Sequence, residues 1–592
     1  MSITRRRFLK DGAAIAAGLS SGGLIGCASE ESLSRSPSPD DPAAQPDPPA
    51  TSPFKHGVAS GDPLSDRVIL WTRISEVVDT VTVRWRVYSD ADLTREMLSG
   101  TVQTDAACDW TVKVDAAGLN PATSYYYQFE VLGWASPAGR TRTLPTGATD
   151  RVRLGLVSCS NYSTGYFNAY KVLAQRDVDA VLHVGDYFYE GGGAGSLGRA
   201  HEPAYEIVSL DDYRQRHAQY RTDGDLQDMS RQHPLIVVWD DHESTNNSWI
   251  DGAQNHQPET EGDWQVRKAN AVQAYAEWLP IRLPEPGNPL NIWRRFQFGD
   301  LVDLFMLDTR LQRNTPETDT SITGTDSFDP ARSMLGLEQR DWLLDGLRES
   351  VSGNRRWRVL GQQTMMAPHR NNPDPTVLPL PYLPPAIAES IGIRPGGGNE
   401  GSDNWGAYGY ERDLILGTLR DEQIANNIVL SGDIHTAWAC DVVEDPYTPF
   451  NPLTPTLTGV PGYEPLTGQG SVAVEFTCMS VTSNNLADDE QLAALAPLYN
   501  AAIVGANPNI PYHNSAAHGF VLLDITRDAV QGEHWNVGSV LAPFADTDDA
   551  SLDAAHRASH GSAGSLGTDH LVRTFTPTED RQTRPSLAPR LS

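Results

Sequence analysis

The feature that most constrains this chain is a repeated pattern, in which a short apolar run stops on side chains able to hold a metal or move a proton. From Arg151 onward, "VRLGLVSC" reads as a strand, "YFNAYKVLAQR" as a helix and "VDAVLHVGD" as a second strand. That is a βαβ unit. Further strands are expected in "PLIVVWD", "LVDLFMLD", "WRVLGQQ", "NNIVLSGD" and "SVAVEFTCMS", with helices such as "VRKANAVQAYAEWL" and "LEQRDWLLDGLRE" between them. Runs with so few polar interruptions are what strands covered on both faces require. Residues 147–592 therefore read as a large layered α/β domain. Loop-rich inserts fall at about 372–402 and 443–470, and a disordered tail beyond about 577.

The chain ahead of Arg151 obeys other rules. Its 592 residues exceed what one ordinary core accommodates. "RVILWTRI", "TVTVRWRVYS", "WTVKVDAAGL" and "TSYYYQFEVLG" are short alternating segments punctuated by turns, so residues 54–146 read as a small β-sandwich. "LNPATSYYYQFEV" resembles the corner of a fibronectin type III-like sandwich. Residues 28–53 are rich in Ser, Pro and Asp with almost no apolar side chain, the composition of a disordered tether. "TRRRFLK" followed by a weakly apolar run resembles a twin-arginine export signal, and "LIGC" resembles a lipobox. Residues 1–27 are thus read as an export signal whose Cys27 takes a lipid anchor, with the export machinery as a partner and the periplasm or cell envelope as the destination. Ordinary signal cleavage is the alternative to lipidation.

Charge and cysteine content narrow the function. With 46 Lys+Arg against 76 Asp+Glu the formal charge is −30, which repels a phosphate backbone and argues against a nucleic-acid partner. Four cysteines besides Cys27, namely Cys108, Cys159, Cys440 and Cys478, are too few for a disulfide framework. Cys440 and Cys478 both follow strand-like segments and are a candidate pair. A monomer is expected.

The strand ends carry the chemistry. One run ends in Cys159, the next in Asp186 with Tyr189 behind it, a third in "WDDHESTNN", with Asp240, Asp241, His242, Glu243 and Asn246, and a fourth in "SGDIH", with Asp433 and His435. In α/β sheets ligands bind beyond the carboxyl ends of strands. A single Asp after a strand is usually a turn or cap residue; four such ends in one domain are hard to assign to capping. His183, inside its strand, reads as a packed histidine. "GGGAGSLG" lacks the lysine of a phosphate-cradling loop and reads as a flexible loop beside the site.

The order GD, then an acidic-His motif, then GDxH resembles the calcineurin-like metallophosphoesterases. "SCSN", "GDYFYE", "WDDHE", "LDTR" and "SGDIH", behind "GVASGDPLSDRVILWTR", resemble the alkaline phosphatase D (PhoD) family. The resemblance runs from about residue 52 to beyond 530. It implies a four-layer αββα metallophosphoesterase domain and an iron–calcium phosphoesterase centre. The sequence departs from the wider superfamily in having Cys159 where an Asp is common, and "DDHE" where Asn-His is common.

The donor chemistry is compatible with that implication. A thiolate, a carboxylate, a phenolate and an imidazole, from Cys159, Asp186, Tyr189 and His435, suit Fe3+. Asp186 would bridge to an oxygen-liganded ion shared with Asp433 and either Asn246 or Asp241, and Ca2+ is what the family implies there. His242 is a candidate acid for the leaving alkoxide or a hydrogen-bond partner of Asp241. Arg310 either contacts phosphate or pairs with Asp308. The expected activity is hydrolysis of phosphomonoesters and phosphodiesters for phosphate acquisition, with a phospholipase D-like diesterase and a non-catalytic envelope binding protein as alternatives.

Overall fold

The computed structural model describes residues 48–193, 195, 197–316, 327–370, 403–451, 462–545, 550–559 and 569–573. The expected export signal with Cys27, most of the tether, the insert at about 372–402, residues 452–461 of the second insert and the tail beyond about 577 lie outside the described residues.

Two sheets carry the fold. The first is ordered Asp569–Arg573, Ser551–Ser559, Ala529–Asn536, Gly519–Thr526, Arg151–Val157, Ala180–His183, Pro234–Val237, Val58–Gly61, Arg67–Arg73 and Thr111–Ala117. Its centre is parallel, with Val181 opposite Gly155 on one side and Leu235 on the other. The second is ordered Arg294–Phe298, Val302–Met306, Trp357–Gly361, Asn427–Ser431, Ala473–Thr477, Ala437–Val442 and Tyr512–Asn514, and its four inner strands from Val302–Met306 to Ala473–Thr477 are parallel.

Side-chain alternation fixes the layering. Leu304, Val359, Ile428, Leu430 and Phe476 of the second sheet share a core with Leu154, Leu156, Val521 and Leu523 of the first. The intervening Phe305, Leu360 and Val429 join a separate core with Leu343, Leu347, Ile415 and Leu419, supplied by helices Gly336–Ser352 and Gly409–Asp421. Leu173 of helix Asn168–Leu173 lies over Gly155, covering the far face of the first sheet. The result is helix, sheet, sheet, helix. Each fully buried Leu, Val or Phe contributes about 1.5–3 kcal/mol, so two apolar faces per sheet hold the strands in register. Trp357 Nε1 ties the sheets directly by donating to Thr526 O at 2.7 Å. Helix Trp264–Trp278 starts on Asp263, whose carboxylate accepts from Gln265 N, and stops ahead of Pro280, which disfavours helix in the residue before it.

The β-rich N-terminal region is layered as expected, and one of its layers is shared with the large sheet. One of its layers is Glu96–Thr104, Val81–Tyr88, Ser124–Val131 and Trp134–Ala135, with Gly139–Arg142 also paired to Ser124–Val131. The facing layer is Val58–Gly61, Arg67–Arg73 and Thr111–Ala117, the edge of the ten-stranded sheet itself. Ser60 pairs in parallel with Pro234, and the buried Asp62 then meets Arg294 at 2.9 Å. Local alternation cannot reveal this, because the pairing spans more than 170 residues of chain. Val68, Leu70, Val83, Val112, Tyr127 and Phe129 fill the space between the layers. Tyr125 Oη accepts from Asn120 N at 2.9 Å, the corner bond characteristic of such sandwiches.

The candidate Cys440–Cys478 pair is not formed, since both thiols are free. Cys440 packs on the outer face of the second sheet, whereas Cys478 lies between the sheets with its thiol on Leu156 O. Two thiols on opposite faces of a sheet cannot reach one another.

Candidate metal centre

Both sheets deliver the carboxyl ends of their parallel strands to one place. Arg151–Val157 leads into Cys159, Ala180–His183 into Asp186 and Tyr189, Pro234–Val237 into Asp240, Asp241 and His242, and Asn427–Ser431 into Asp433 and His435. Among the described residues three groups of possible ligand atoms result, the atoms of each group within 4.8 Å of one another: Cys159, Asp186 and His435; Asp186, Asp241 and His242; Asp240, Asp241 and Asp433. Asp186 belongs to two of them, and so does Asp241.

The turns that make this convergence are strained. Cys159, Asp186, Asp433 and His435 all have left-handed backbones, with φ of 59°, 52°, 69° and 57°. Such conformations cost non-glycine residues about 1–3 kcal/mol each and cluster at functional sites. The glycines of the two "GD" pairs serve close approach. A Cβ on Gly185 would sit 2.3 Å from Asp240 Cβ, and one on Gly432 would sit 2.6 Å from Ser158 Oγ. Glu243 clamps the turns together, accepting from the backbone N–H groups of Asp186 (3.1 Å), Tyr187 (2.6 Å) and Asp240 (2.8 Å). Burial nevertheless pushes its carboxyl up to about 8.

In the first group Tyr189 Oη donates to Asp186 Oδ2 at 2.8 Å and lies 3.0 Å from His435 Nε2. Ser483 Oγ reaches the same phenol oxygen at 2.6 Å, and His435 Nδ1 is anchored on Asn484 O. Burial and the Asp186 carboxylate push both the Cys159 thiol and the Tyr189 phenol well above their ordinary ranges. Burial holds His435 down at about 4, so its ring stays neutral.

The third group centres on Arg310. Its guanidinium is fully buried and bonds Asp240, Asp433 and Asp403. Its guanidinium is enclosed by these carboxylates, and Asp308 accepts from its backbone N–H at 2.9 Å. Carboxylates still outnumber cations here. Burial raises Asp433 to about 6 and raises Asp186 and Asp240 well above the usual carboxylate range, with neighbouring carboxylates adding to the effect. Asp241 runs the other way: burial alone would raise it, but Arg310, His242 and the Asn247 N–H hold it down.

These residues fit metal ions. Asp186 Oδ1, Asp240 Oδ2 and Asp241 Oδ1 are buried with no hydrogen-bond partner, an arrangement that costs free energy unless a cation takes up the lone pairs. Sulfur, phenol and imidazole donors stand on one side of Asp186, Asp241 and His242 on the other, and an all-carboxylate group of Asp240, Asp241 and Asp433 follows through Asp241, so the donors grade from softer to harder across the centre.

Asn246 is not brought to the carboxylates. Its amide donates to Gln254 Oε1 at 2.9 Å. It is the next residue, Asn247, whose side-chain amide lies 2.9 Å from Asp403 and 3.2 Å from Asp241, donating to both when its nitrogen faces them. The left-handed turn at Asn247 (φ 51°) separates the two neighbours. His183 is packed as expected, with Nε2 2.9 Å from Tyr170 Oη.

His242 stands at the edge of the centre, its side chain 20% exposed, with Nδ1 2.5 Å from Glu190 Oε2. Burial would lower its pKa, but Glu190, Asp186 and Asp241 together raise it well above the ordinary value. Beside it opens a cavity of about 460 Å³, walled by Tyr189, His242, Glu190, Gly191, Gly192, His201 and the polar side chains of Asn161, Ser163, Asn246, Gln254 and Asn255. Sequence reasoning named Glu243 without giving it a role, and missed Glu190, Asn247 and Ser483. Ser483 was within reach, because it follows a fifth strand end, Ala473–Thr477.

The sequence matches the family model for PhoD-like phosphatase over residues 154–534, and the model for the PhoD-like phosphatase N-terminal domain over residues 41–145. It is 32% identical over 521 residues to alkaline phosphatase D of Bacillus subtilis (strain 168), covering 83% of this chain and 78% of that protein. A solved structure described as that of PhoD superposes with a TM-score of 0.73 at 29% identity, covering 89% of this chain and 93% of that one.

Proposed function

The chain belongs to the PhoD-like phosphatase family and is therefore a hydrolase of phosphoric esters, and from that premise we propose that it cleaves phosphomonoesters and phosphodiesters in the cell envelope, as a means of acquiring phosphate. The observation that carries the reading is the sharing of Asp186 between a group with Cys159 and His435, which Tyr189 joins, and a second group with Asp241 and His242. Cys159, Asp186, Tyr189 and His435 would hold Fe3+, and Asp186, Asp241 and Asp433 would hold Ca2+. When bound, such ions acidify water to supply the nucleophile and neutralise charge on the phosphoryl oxygens. The chain's own part is to fix the ligands on strained turns, to exclude bulk water by burial, and to present His242 to the leaving oxygen from the cavity wall. Among the described residues, amides, hydroxyls and ionisable groups supply much of the wall of that cavity, which suits a polar ester head.

Purified protein is expected to carry iron and calcium by emission spectroscopy and to hydrolyse 4-nitrophenyl phosphate and bis(4-nitrophenyl) phosphate. Tyr189→Phe should abolish a visible phenolate-to-iron band. Full activity with neither metal present would sink the assignment, and an unchanged band would remove Tyr189 from the ligand set. Export rests on "TRRRFLK" and "LIGC". Replacing Arg5 and Arg6 by lysine should leave the protein in the cytoplasmic fraction, and unchanged fractionation would overturn the export reading.

A further inference from the structure

The segment behind the fifth strand end, residues 478–486, supplies no member of the three ligand groups among the described residues, yet it touches Cys159, Tyr189 and His435 together. The Cys159 carbonyl accepts from Thr482 N at 3.3 Å and Ser483 N at 3.2 Å, with Ser483 Oγ 2.8 Å away. Asn484 O accepts from His435 Nδ1 at 2.9 Å, which leaves Nε2 as the ring nitrogen facing Tyr189. Ser483 is 1% exposed, and its Oγ lies 2.6 Å from Tyr189 Oη. Counting hydrogens gives that bond its direction. The phenol hydrogen is taken by Asp186 Oδ2 at 2.8 Å, so the phenol oxygen meets Ser483 as an acceptor. The Ser483 hydroxyl has one hydrogen to give. Its contact with Tyr189 is the shorter of the two, and the Cys159 carbonyl holds two N–H groups without it.

The loop is fixed from behind by other groups. Ser480 Oγ donates to Ser483 O at 2.6 Å and lies 3.0 Å from His518 Nδ1, and His518 Nε2 lies 3.1 Å from Asp488 Oδ2. Asn485 Nδ2 donates to Ala517 O at 3.1 Å, and Asp488 accepts from Asn485 N at 2.7 Å. None of these bonds uses the Ser483 hydroxyl, so the hydroxyl is not what holds the loop in place.

We propose that Ser483 is a positioning residue for the phenol ligand: its hydroxyl donates to Tyr189 Oη, fixing where that oxygen stands and limiting how strongly it gives electrons to a bound ferric ion. This rests on the reading of Tyr189 as an Fe3+ ligand. The phenol oxygen has three polar neighbours among the described residues, namely Asp186 Oδ2, His435 Nε2 at 3.0 Å and Ser483 Oγ. The first two belong to the same proposed ligand set, so Ser483 is the neighbour that approaches the oxygen without competing for the ion. Hydrogen bonds from outside a ligand set orient the ligands and tune the metal they hold. An oxygen that shares a lone pair with a donor holds its electrons more tightly, so charge transfer from phenolate to iron takes more energy. A hydroxyl donating to a phenolate is also a charge-assisted bond, stronger than one between neutral groups, and it keeps the ligand oxygen from swinging away.

The colour of the iron-loaded protein separates this role from a structural one, because the energy of the phenolate-to-iron band follows the bond to the phenol oxygen and not the stability of the loop. Holoenzyme carrying Ser483→Ala should keep the band but at longer wavelength than the parent, and its affinity for iron should fall by about 10–100-fold. A second measurement needs no variant. Parental holoenzyme moved from H2O into D2O should shift the phenolate C–O stretch in its resonance Raman spectrum, since the donated hydrogen is exchangeable. Ser483→Ala should abolish that shift, and the parental spectrum decides alone if the variant does not fold. A Ser483→Ala band at the parental wavelength, or a parental C–O stretch identical in H2O and D2O, would overturn the positioning role. A parental holoenzyme with no phenolate band would instead overturn the assignment of Tyr189 as a ligand, and the role of Ser483 with it.

Discussion

Replacing Asp186 by asparagine is expected to cut kcat/KM on 4-nitrophenyl phosphate by about 10³-fold or more, the several kcal/mol of charge stabilisation that catalytic metals supply. Asparagine is the informative substitution because it keeps the shape of aspartate and tolerates the left-handed backbone at this position (φ 52°). What it removes is the negative charge shared between two ligand groups, so metal content should fall for both ions. Tyr189→Phe takes a donor from one side only, and its loss of activity should be smaller. The metal-free chain should respond in the opposite direction. Burial already raises Asp186 well above the usual carboxylate range, and its Oδ1 has no partner. Removing an uncompensated carboxylate from such a site leaves stability equal or improved. Metal per chain, kcat/KM and the melting temperature of the stripped protein together decide the matter. Full metal content with less than a tenfold loss of activity would show that Asp186 is not the shared ligand.

The parts of this fold that were legible were those written locally. The runs ending at Cys159, Asp186, Asp241 and Asp433 are apolar, short and bounded by turn residues, so strand, end and ligand follow from a few adjacent letters. The helix Trp264–Trp278 carries its own start in Asp263 and its own stop before Pro280. What was not legible depends on distant chain. Val58–Gly61 reads equally well as a sandwich strand and as an edge of the catalytic sheet, and only its pairing to Pro234–Val237 decides. Asn246 and Asn247 are the same residue type one position apart, so composition cannot choose between them. A left-handed turn does, by leaving Asn246 on Gln254 while bringing Asn247, which also touches Gln254, to Asp241 and Asp403. Arg310 was open to two readings, a phosphate contact or a partner of Asp308, because "LDTR" alone does not say which carboxylates surround it. Its guanidinium is buried among Asp240, Asp403 and Asp433. Glu190 and Glu243 stand inside "GDYFYE" and "WDDHE", but their partners lie largely on other segments, so the motifs alone do not reveal what each one holds.

The glycine before the shared aspartate is the second place where a single change should have a large effect. Gly185 has φ of 110°, a region where alanine is strained whatever space is available. Space is also lacking, because an added Cβ would lie 2.3 Å from Asp240 Cβ and 2.6 Å from its backbone nitrogen. Neither contact is a flexible side-chain end, so relief requires the two strand-end turns to separate. Gly185→Ala is therefore expected to destabilise the protein by about 2–4 kcal/mol, combining backbone strain with overpacking. Separation of the turns moves Asp186 relative to Asp240 and Asp241, and displacements near 1 Å at a reacting centre cost about 10²-fold in rate. Gly191 is the internal control for stability. Its φ is unexceptional, and a Cβ there meets nothing within 4 Å, so Gly191→Ala should stay within about 0.5 kcal/mol of the parent. Denaturant midpoints for the two variants measured side by side, with kcat/KM for Gly185→Ala, provide the comparison. A Gly185→Ala protein as stable and as active as the parent would mean that the two turns can part without consequence. The strand ends would then be neighbours rather than a single rigid cradle, and the strained backbones at Cys159, Asp186, Asp433 and His435 would lose their mechanical explanation.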